Sequence, residues 1–233
     1  MSEQILKDLQ FFYPELALTA TLCVAIIADL IFRRTSIVVS TIVMMGLIVT
    51  GILVLGQSEI HASIFGNMVA VDAFAHFFKL VIIITAILIV VFSLGSSELN
   101  TAKRKLGEYY ALLVALTLGM VLMTGASNLL MMYLALELSS ISSYILSGYT
   151  KEAPDSSEAS LKYVIYGALS SGLMLYGISI MYGLTGSLDI YTINQVLARG
   201  DYNTIALLIA GVLAMAGFGY KISAVPFHFW TPD

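Results

Sequence analysis

Long apolar stretches divide the chain into seven segments, each bounded by polar residues or glycine. The segments run approximately over 12–32, 37–56, 72–95, 109–126, 128–149, 159–184 and 204–227. A helix rises about 1.5 Å per residue, so about 20 apolar residues cross the roughly 30 Å hydrocarbon core of a bilayer. The pattern therefore predicts an all-α fold, a polytopic transmembrane bundle of about seven helices. Apolar spacing in 189–199 predicts a further short helix on the membrane surface.

Composition agrees with a membrane protein and excludes several other classes. Of 233 residues, 59% are hydrophobic and 11% are charged, against about 25% charged residues in an average soluble domain. The net charge of −4, with no basic stripe, gives no support for nucleic-acid binding. One cysteine, Cys23, and three scattered histidines are too few for an iron–sulfur or metal cluster. We therefore expect no redox centre, metal or cofactor in this chain.

The distribution of basic residues predicts the orientation in the membrane. The first, third and fifth loops contain Arg33, Arg34, Lys103, Arg104, Lys105 and Lys151. The alternate loops contain only Arg199. Because basic residues favour cytoplasmic loops, the odd-numbered loops are expected in the cytoplasm and the N-terminus outside.

Glu137 lies near the middle of the fifth segment, nine residues from its nearer end. An ionisable side chain at such a depth costs at least about 2.5–3.5 kcal/mol and persists mainly where it faces a partner or water. Tyr133, Ser140 and Tyr144 follow the same helix face at i−4, i+3 and i+7. Close helix packing explains the serines, but it does not explain a carboxylate at mid-depth. Glu137 is therefore a functional candidate.

Lys221 lies inside the seventh segment, five residues before Pro226. Proline lacks a backbone donor and clashes with the carbonyl four residues earlier, which predicts a discontinuous seventh helix. Freed backbone groups are tolerated in a membrane only beside protein or a water-filled cavity, and broken helices around buried charges are typical of ion transporters. His228, in the irregular stretch beyond, either passes protons onward or is a packing residue.

Other charged residues lie closer to segment ends. Lys162 opens the sixth segment, with Tyr166 one turn further along. Its ammonium either joins the same polar pathway or extends to the membrane surface. An interfacial position or a local polar cluster explains a further set of residues: Glu15, Asp72, His76 and Lys79.

The buried carboxylate and the lysines together predict a charge relay. Burial disfavours an ammonium, whereas a neighbouring carboxylate favours it. Closing and opening such a pair would therefore take up and release a proton. The sequence contains no nucleotide-binding loop or redox ligand set, so we expect proton translocation driven by energy from elsewhere.

At these residues the chain resembles a known family. The motifs that carry the likeness are the fifth segment with its glutamate, EASLKYVIYGALSSG, and above all GFGYKISAVPFHFWTPD. They look like the antiporter-like membrane subunits of proton-pumping NADH:quinone oxidoreductase, respiratory complex I. The stretches FFYPELAL, ADLIF and VDAFAHFFK resemble subunit N, also called subunit 2, more than its longer relatives.

The resemblance implies an antiporter-like, partial inverted-repeat fold and a role for three charged residues. Glu137 matches the helix-five glutamate, Lys221 the lysine of the broken seventh helix, and Lys162 a helix-six lysine that modulates the pair. It implies a subunit of a proton-translocating oxidoreductase, driven by quinone reduction elsewhere. FMN, iron–sulfur clusters and quinone would then belong to partner subunits. Its expected partners are the neighbouring antiporter-like and small membrane subunits, in a bacterial inner membrane.

Family members are about twice as long and contain two inverted five-helix repeats. Residues 1–108 are therefore expected to form an N-terminal three-helix segment. Residues 109–233 are expected to form an incomplete first repeat that stops at the broken helix, so that the chain is an N-terminal portion.

Two alternatives remain open. The first is the related subunit of a multisubunit Na⁺/H⁺ antiporter or membrane-bound hydrogenase, which shares the glutamate and the lysine. The second is a non-catalytic membrane scaffold, in which the buried charges only hold helices together. Sodium-dependent transport would favour the first, and wild-type activity without the charges would favour the second.

Overall fold

The structure, a computed structural model, describes residues 2–32, 36–96, 99, 106–150, 154–200, 202–228 and 230. The helices and strands within these residues are, in chain order, α1 Ser2–Leu9, α2 Tyr13–Ile31, α3 Ser36–Leu55, β1 Ala62–Ile64, β2 Val69–Val71, α4 Ala73–Leu94, α5 Leu106–Thr124, α6 Leu129–Ser147, α7 Pro154–Thr185, α8 Ile190–Ala198 and α9 Thr204–Lys221.

Seven of the described helices, α2 to α7 and α9, are long and apolar enough to cross a membrane by length and composition. They correspond in order to the seven predicted segments, so the all-α membrane bundle is confirmed and the chain is an integral membrane protein. Most limits agree within a few residues. The last differs most, since α9 ends at Lys221 and not near residue 227.

Polar residues fix where several helices begin, because their side chains satisfy the backbone donors of the first turn. Asp72 accepts a hydrogen bond of 2.8 Å from the amide of Ala75 at the start of α4. The same role is taken by Asn128 for α6, Asp189 for α8 and Asn203 for α9. The short helix predicted over 189–199 is thereby confirmed as α8, while its position on the membrane surface stays a prediction.

The helices α2, α3, α4 and α5 pack as a four-helix bundle. Within it, α2 and α4 occupy one diagonal, because each packs against both α3 and α5 rather than against the other. A Cβ at Gly46 would lie 2.3 Å from the side chain of Thr21, so the absence of a side chain lets α2 and α3 approach closely. Fully buried apolar residues fill the bundle: Leu18, Val43, Leu47, Val90, Val114 and Val121.

The remaining membrane helices extend this bundle sideways. The helix α5 packs against α6, α6 packs against α7, and α7 packs against α9. The helix α7 therefore contacts both α6, which carries Glu137, and α9, which carries Lys221.

A β-hairpin that the sequence analysis did not predict joins α3 to α4. Its strands are antiparallel, with Ile64 opposite Val69, and both side chains are buried in a small cluster that includes Phe11 and Phe12. The turn residue Phe65 donates its amide to Asp8 Oδ2 of α1 at 2.8 Å. The hairpin thus ties the N-terminal helix to one end of the bundle.

The basic loop residues that predict the orientation are mostly outside the described residues. Arg33, Arg34, Lys103–Lys105 and Lys151 all fall there. The orientation stays a prediction.

Candidate functional site

Glu137 of α6 and Lys221 of α9 face each other. Lys221 Nζ lies 3.8 Å from Glu137 Oε1, although the two residues belong to different helices, α6 and α9, both of which pack against α7. The side chain of Lys221 is 11% exposed and that of Glu137 is 21% exposed. The structure therefore brings together the two charges that the sequence analysis placed deepest in the membrane.

Two hydroxyl groups of α6 hold the ammonium of Lys221. It donates a hydrogen bond to Ser140 Oγ and another of 3.0 Å to Tyr144 Oη, and it lies 5.4 Å from the centre of the Tyr144 ring. The Ser140 hydroxyl itself donates to the carbonyl of Leu136 at 2.6 Å, so its oxygen is free to accept from the lysine. Neutral acceptors thus position the charge beside the carboxylate.

A serine of α7 holds the carboxylate of Glu137. Ser171 Oγ donates a hydrogen bond of 2.5 Å to Glu137 Oε1, the same oxygen that faces Lys221. The separation of 3.8 Å between Lys221 Nζ and that oxygen exceeds the length of a direct hydrogen bond. The pair is therefore close enough for strong electrostatic coupling, while a small side-chain movement decides whether the two groups touch.

A Schellman motif ends α9 at Lys221. The amide of Ser223 donates to the carbonyl of Tyr220 at 3.0 Å, and the amide of Ala224 donates to that of Gly219 at 2.8 Å. Ser223 takes a left-handed conformation, with φ of 55°. Lys221 consequently lies at the negative end of the helix dipole, which favours a cation.

The role of Pro226 differs from the expected one. The helix ends five residues before it, so its ring has no helical carbonyl to displace. Pro226 is exposed and lies among the turns that follow α9. Because the Schellman motif already ends the helix, Pro226 only prevents the helix from continuing through the next residues.

Aromatic residues fix the end of α9 against α7. The ring of Tyr163 meets that of Tyr144 edge-on, with centres 4.5 Å apart, and stacks on Trp230 at 4.5 Å. Tyr220 Oη donates to the carbonyl of Tyr163 at 3.0 Å, and Trp230 Nε1 donates to that of Tyr220 at 3.2 Å. The sequence analysis named Tyr144 but missed Tyr163, Tyr220, Trp230 and Ser171, although these four lie within its two motifs.

Other predicted site residues lie elsewhere. Lys162 forms its ion pair with Glu158, one turn away on α7, at 2.9 Å, and its side chain is 38% exposed. Tyr166 is 48% exposed. It lines an apolar cavity of about 310 Å³ between residues of α7 and α9 and the turns that follow α9, which include Pro226. These two residues thus face surroundings different from those of the Glu137–Lys221 pair.

Two further candidates flank the pair along the chain. Tyr133 lies one turn before Glu137 on α6, and His228 lies in the turns beyond α9. Both side chains are half-buried. Across the described residues, no three His, Cys, Asp or Glu side chains are grouped so that they could hold a metal ion.

Comparison with known proteins gives a consistent set of relatives. Residues 126–233 match a family model described as NADH:quinone oxidoreductase/Mrp antiporter, transmembrane. The chain is 47% identical over 226 residues to NADH-quinone oxidoreductase subunit N 2 of Chloroherpeton thalassium, covering 95% of this chain and 44% of that protein. It is 42% identical over 225 residues to subunit N of Chlorobium chlorochromatii, covering 96% and 44%.

A solved structure has the same fold. A chain of respiratory complex I from Thermus thermophilus with bound aureothin aligns with a TM-score of 0.76 at 27% identity, covering 94% of this chain and 46% of that one. The present chain therefore spans less than half the length of the proteins that it matches.

Proposed function

This chain belongs to the family of antiporter-like membrane subunits that includes subunit N of NADH-quinone oxidoreductase, and on that premise we propose that it translocates protons as part of such a subunit. The single observation that carries the proposal is the ion pair of Glu137 and Lys221, whose charged atoms lie 3.8 Å apart between membrane-spanning helices. Such buried charges are costly and persist mainly where they serve transport.

The relay works through the distance between the two charges. When Glu137 is close, its carboxylate favours the ammonium form of Lys221. When the carboxylate of Glu137 moves away from the lysine, burial disfavours that charge and a proton leaves Lys221. Ser140 and Tyr144 keep the lysine in place during both steps, because their hydrogen bonds to it do not involve the carboxylate.

Other residues extend the proposed route. Lys162 modulates the pair from α7, in balance with its partner Glu158, and His228 takes the proton onward beyond the end of α9. Tyr133 and Tyr166 supply further polar groups along α6 and α7. In this proposal residues 1–108 support the translocating part, which begins at residue 109.

The energy comes from outside the chain. In the proposed assembly, quinone reduction in other subunits rearranges charge along the membrane arm and opens the pair. FMN, iron–sulfur clusters and the quinone are bound by those partners, and the neighbouring antiporter-like and small membrane subunits contact this one. The assembly lies in a bacterial inner membrane, which separates the cytoplasm from the outside.

Substitution of the pair tests the proposal in the full-length protein within its assembled complex. We expect Glu137→Gln and Lys221→Met each to lower NADH-driven proton pumping in inverted membrane vesicles by about tenfold or more, a change of at least about 1.4 kcal/mol. The glutamine or methionine that replaces the charged residue cannot take up and release a proton at this site. Lys162→Ala should have a milder effect, because the side chain of Lys162 is 38% exposed and pairs with Glu158 on its own helix.

A matched control and an assembly measurement separate transport from scaffolding. Thr85→Val removes an exposed hydroxyl that bonds only to the carbonyl of Val81 on its own helix, and it should leave pumping unchanged. Native gels report assembly for each variant. Pumping at the control level in both charge variants, or failure of both to assemble, would favour the scaffold instead.

The antiporter alternative has its own test, since the matching family model includes Mrp antiporters in its description. We expect pumping to be the same in sodium-containing and sodium-free buffers. A requirement for sodium would favour the antiporter and contradict the proposal.

A further inference from the structure

A second buried ion pair lies in the N-terminal bundle. Lys79 Nζ of α4 is 2.5 Å from Glu15 Oε1 of α2, and both side chains are 2% exposed. The sequence analysis assigned Lys79 to a local cluster with Asp72 and His76. In the structure, Asp72 instead caps its own helix through the amide of Ala75.

This pair crosses the middle of the four-helix bundle. The helices α2 and α4 lie on a diagonal and pack against α3 and α5 rather than against each other. The two long side chains therefore bridge the space between helices that are not in close contact. Neither charge is accessible at the surface of the described structure, since each side chain is 2% exposed.

The hydrogen bonding of the pair is incomplete among the described residues. Glu15 Oε2 is fully buried and has no hydrogen-bond partner there. An ammonium has three donors, and among the described residues Lys79 Nζ contacts Glu15 Oε1. Buried charges are stable only when their remaining donors and acceptors are satisfied, so both ends of the pair require a further partner.

Three other polar side chains that are buried in this half of the structure form hydrogen bonds elsewhere. Gln57, 2% exposed, donates to the carbonyl of Phe11 at 2.6 Å. Thr50 and Thr117 donate to carbonyls of their own helices at 2.8 and 2.7 Å. The hydrogen bonds that these three groups donate go to backbone carbonyls and not to Glu15.

We propose that Glu15 and Lys79 form a buried water-binding site in the centre of this bundle. A water molecule donates to Glu15 Oε2 and accepts from Lys79 Nζ, so that one ligand bonds to both ends of the pair. Water is the ligand that buried polar groups of this kind ordinarily bind. The site is independent of the Glu137–Lys221 pair, because it involves different helices and different residues.

A cryo-EM map of the full-length protein in its native membrane assembly, at a resolution that shows ordered water, tests this proposal. We expect a water peak within hydrogen-bonding distance of Glu15 Oε2. In the double variant Glu15→Leu with Lys79→Met, which replaces both charges by apolar side chains, we expect that peak to be lost. The control Thr85→Val changes the exposed side of α4 and should keep it.

Either of two results would overturn the proposal. One is a wild-type map without density at Glu15 Oε2, although other buried water molecules are resolved in the same map. The other is a peak that remains in the double variant at the same position, since the charges would then not be what binds it. Should the double variant not assemble, the wild-type map alone decides.

Discussion

Ser171 is the side chain that holds the carboxylate of Glu137 in the proposed relay. Its hydroxyl donates to Glu137 Oε1 at 2.5 Å, the oxygen that also faces Lys221. A hydrogen bond to a charged group contributes about 1.5–3 kcal/mol. Without it, the carboxylate loses the hydrogen bond that positions it beside Lys221.

We therefore expect Ser171→Ala to lower the rate of proton pumping by about tenfold, which corresponds to about 1.4 kcal/mol. Assembly should be unaffected, because the change removes only the hydroxyl oxygen of a buried serine and leaves the packing of α7 otherwise the same. Proton pumping by the full-length complex in inverted vesicles is the measurement.

Two matched variants show whether the effect depends on the hydroxyl. Ser171→Thr keeps the hydroxyl and should recover most of the pumping rate. Ser170→Ala removes the neighbouring hydroxyl, which is equally buried but donates only to the carbonyl of Gly167 at 3.0 Å, and it should have little effect. Equal losses in the two alanine variants would indicate a packing role for Ser171.

The sequence was informative about charges and uninformative about their neutral partners. Glu137 and Lys221 could be identified because each interrupts an apolar run, where its cost in a membrane demands a reason. Ser171 and Tyr163 could not be assigned in the same way, because their contacts depend on how α6, α7 and α9 are rotated against one another. A serine or tyrosine in an apolar helix is explained as well by packing, so periodicity alone does not show what it touches.

Glu15 and Lys79 show that the sequence also fails to reveal which charged residues pair with each other. Both lie near segment ends, where extension of the side chain to the surface is the simplest explanation. Only the diagonal arrangement of α2 and α4 turns them into a buried pair.

At the scale of elements, Asp189 couples the short helix α8 to pH. Its Oδ1 accepts 2.7 Å hydrogen bonds from both the amide and the hydroxyl of Thr192. These bonds hold the pKa of Asp189 below its usual value of 3.8. A carboxylate whose pKa is lower in the folded helix than in the opened helix stabilises the helix when it is ionised.

We expect Asp189→Ala to weaken α8 by about 1 kcal/mol at neutral pH, as loss of an N-cap does. Amide exchange over Ile190–Ala198 would then be about fivefold faster than in the wild type. The difference should be complete above about pH 4, the value for a free aspartate, and should vanish as the pH falls through the lowered pKa and the carboxylate is protonated.

Hydrogen exchange by mass spectrometry, compared at each pH and corrected for intrinsic rates, gives the measurement. Asp189→Asn keeps a capping oxygen without the titration, so its exchange should depend little on pH in this range. A difference between wild type and Asp189→Ala that persists unchanged at pH 3 would contradict the assignment.

Element limits followed from the sequence where a cap or an apolar run defined them. The helix α8 was predicted over 189–199 and spans Ile190–Ala198, because its apolar spacing and its preceding aspartate agree. The hairpin of Ala62–Ile64 and Val69–Val71 was missed, since strands of three residues are too short for an alternating pattern. The end of α9 was assigned to Pro226, although a left-handed serine with no sequence signature ends it at Lys221.

At the scale of the whole molecule, the two halves of the described structure differ in how far they bury their ion pairs. The bundle of α2–α5 buries its ion pair completely, with both side chains 2% exposed. The group of α6, α7 and α9 leaves its pair 11% and 21% exposed and surrounds it with hydroxyls. A charge that must exchange protons requires access, whereas one that only binds water and neighbouring helices does not.

The direction of transport depends on the orientation of the molecule, which the basic loop residues predict. Residue 63 lies in the hairpin, and residue 157 lies at the start of α7; both are exposed. If the N-terminus is outside, the hairpin, which joins the second and third membrane helices, lies on the outer side. Residue 157, at the start of the sixth membrane helix, then lies on the cytoplasmic side. Single cysteines at these two positions therefore report opposite sides.

We expect Ser63→Cys to react with a membrane-impermeant maleimide in right-side-out vesicles and to be protected in inverted ones. Ser157→Cys should show the reverse, and both variants are made in a Cys23→Ser background because the native thiol is exposed on α2. Detergent-solubilised samples should label at both positions, which controls for local burial. The opposite labelling pattern would invert the orientation, and the Glu137–Lys221 pair would then have to move protons the other way relative to α9.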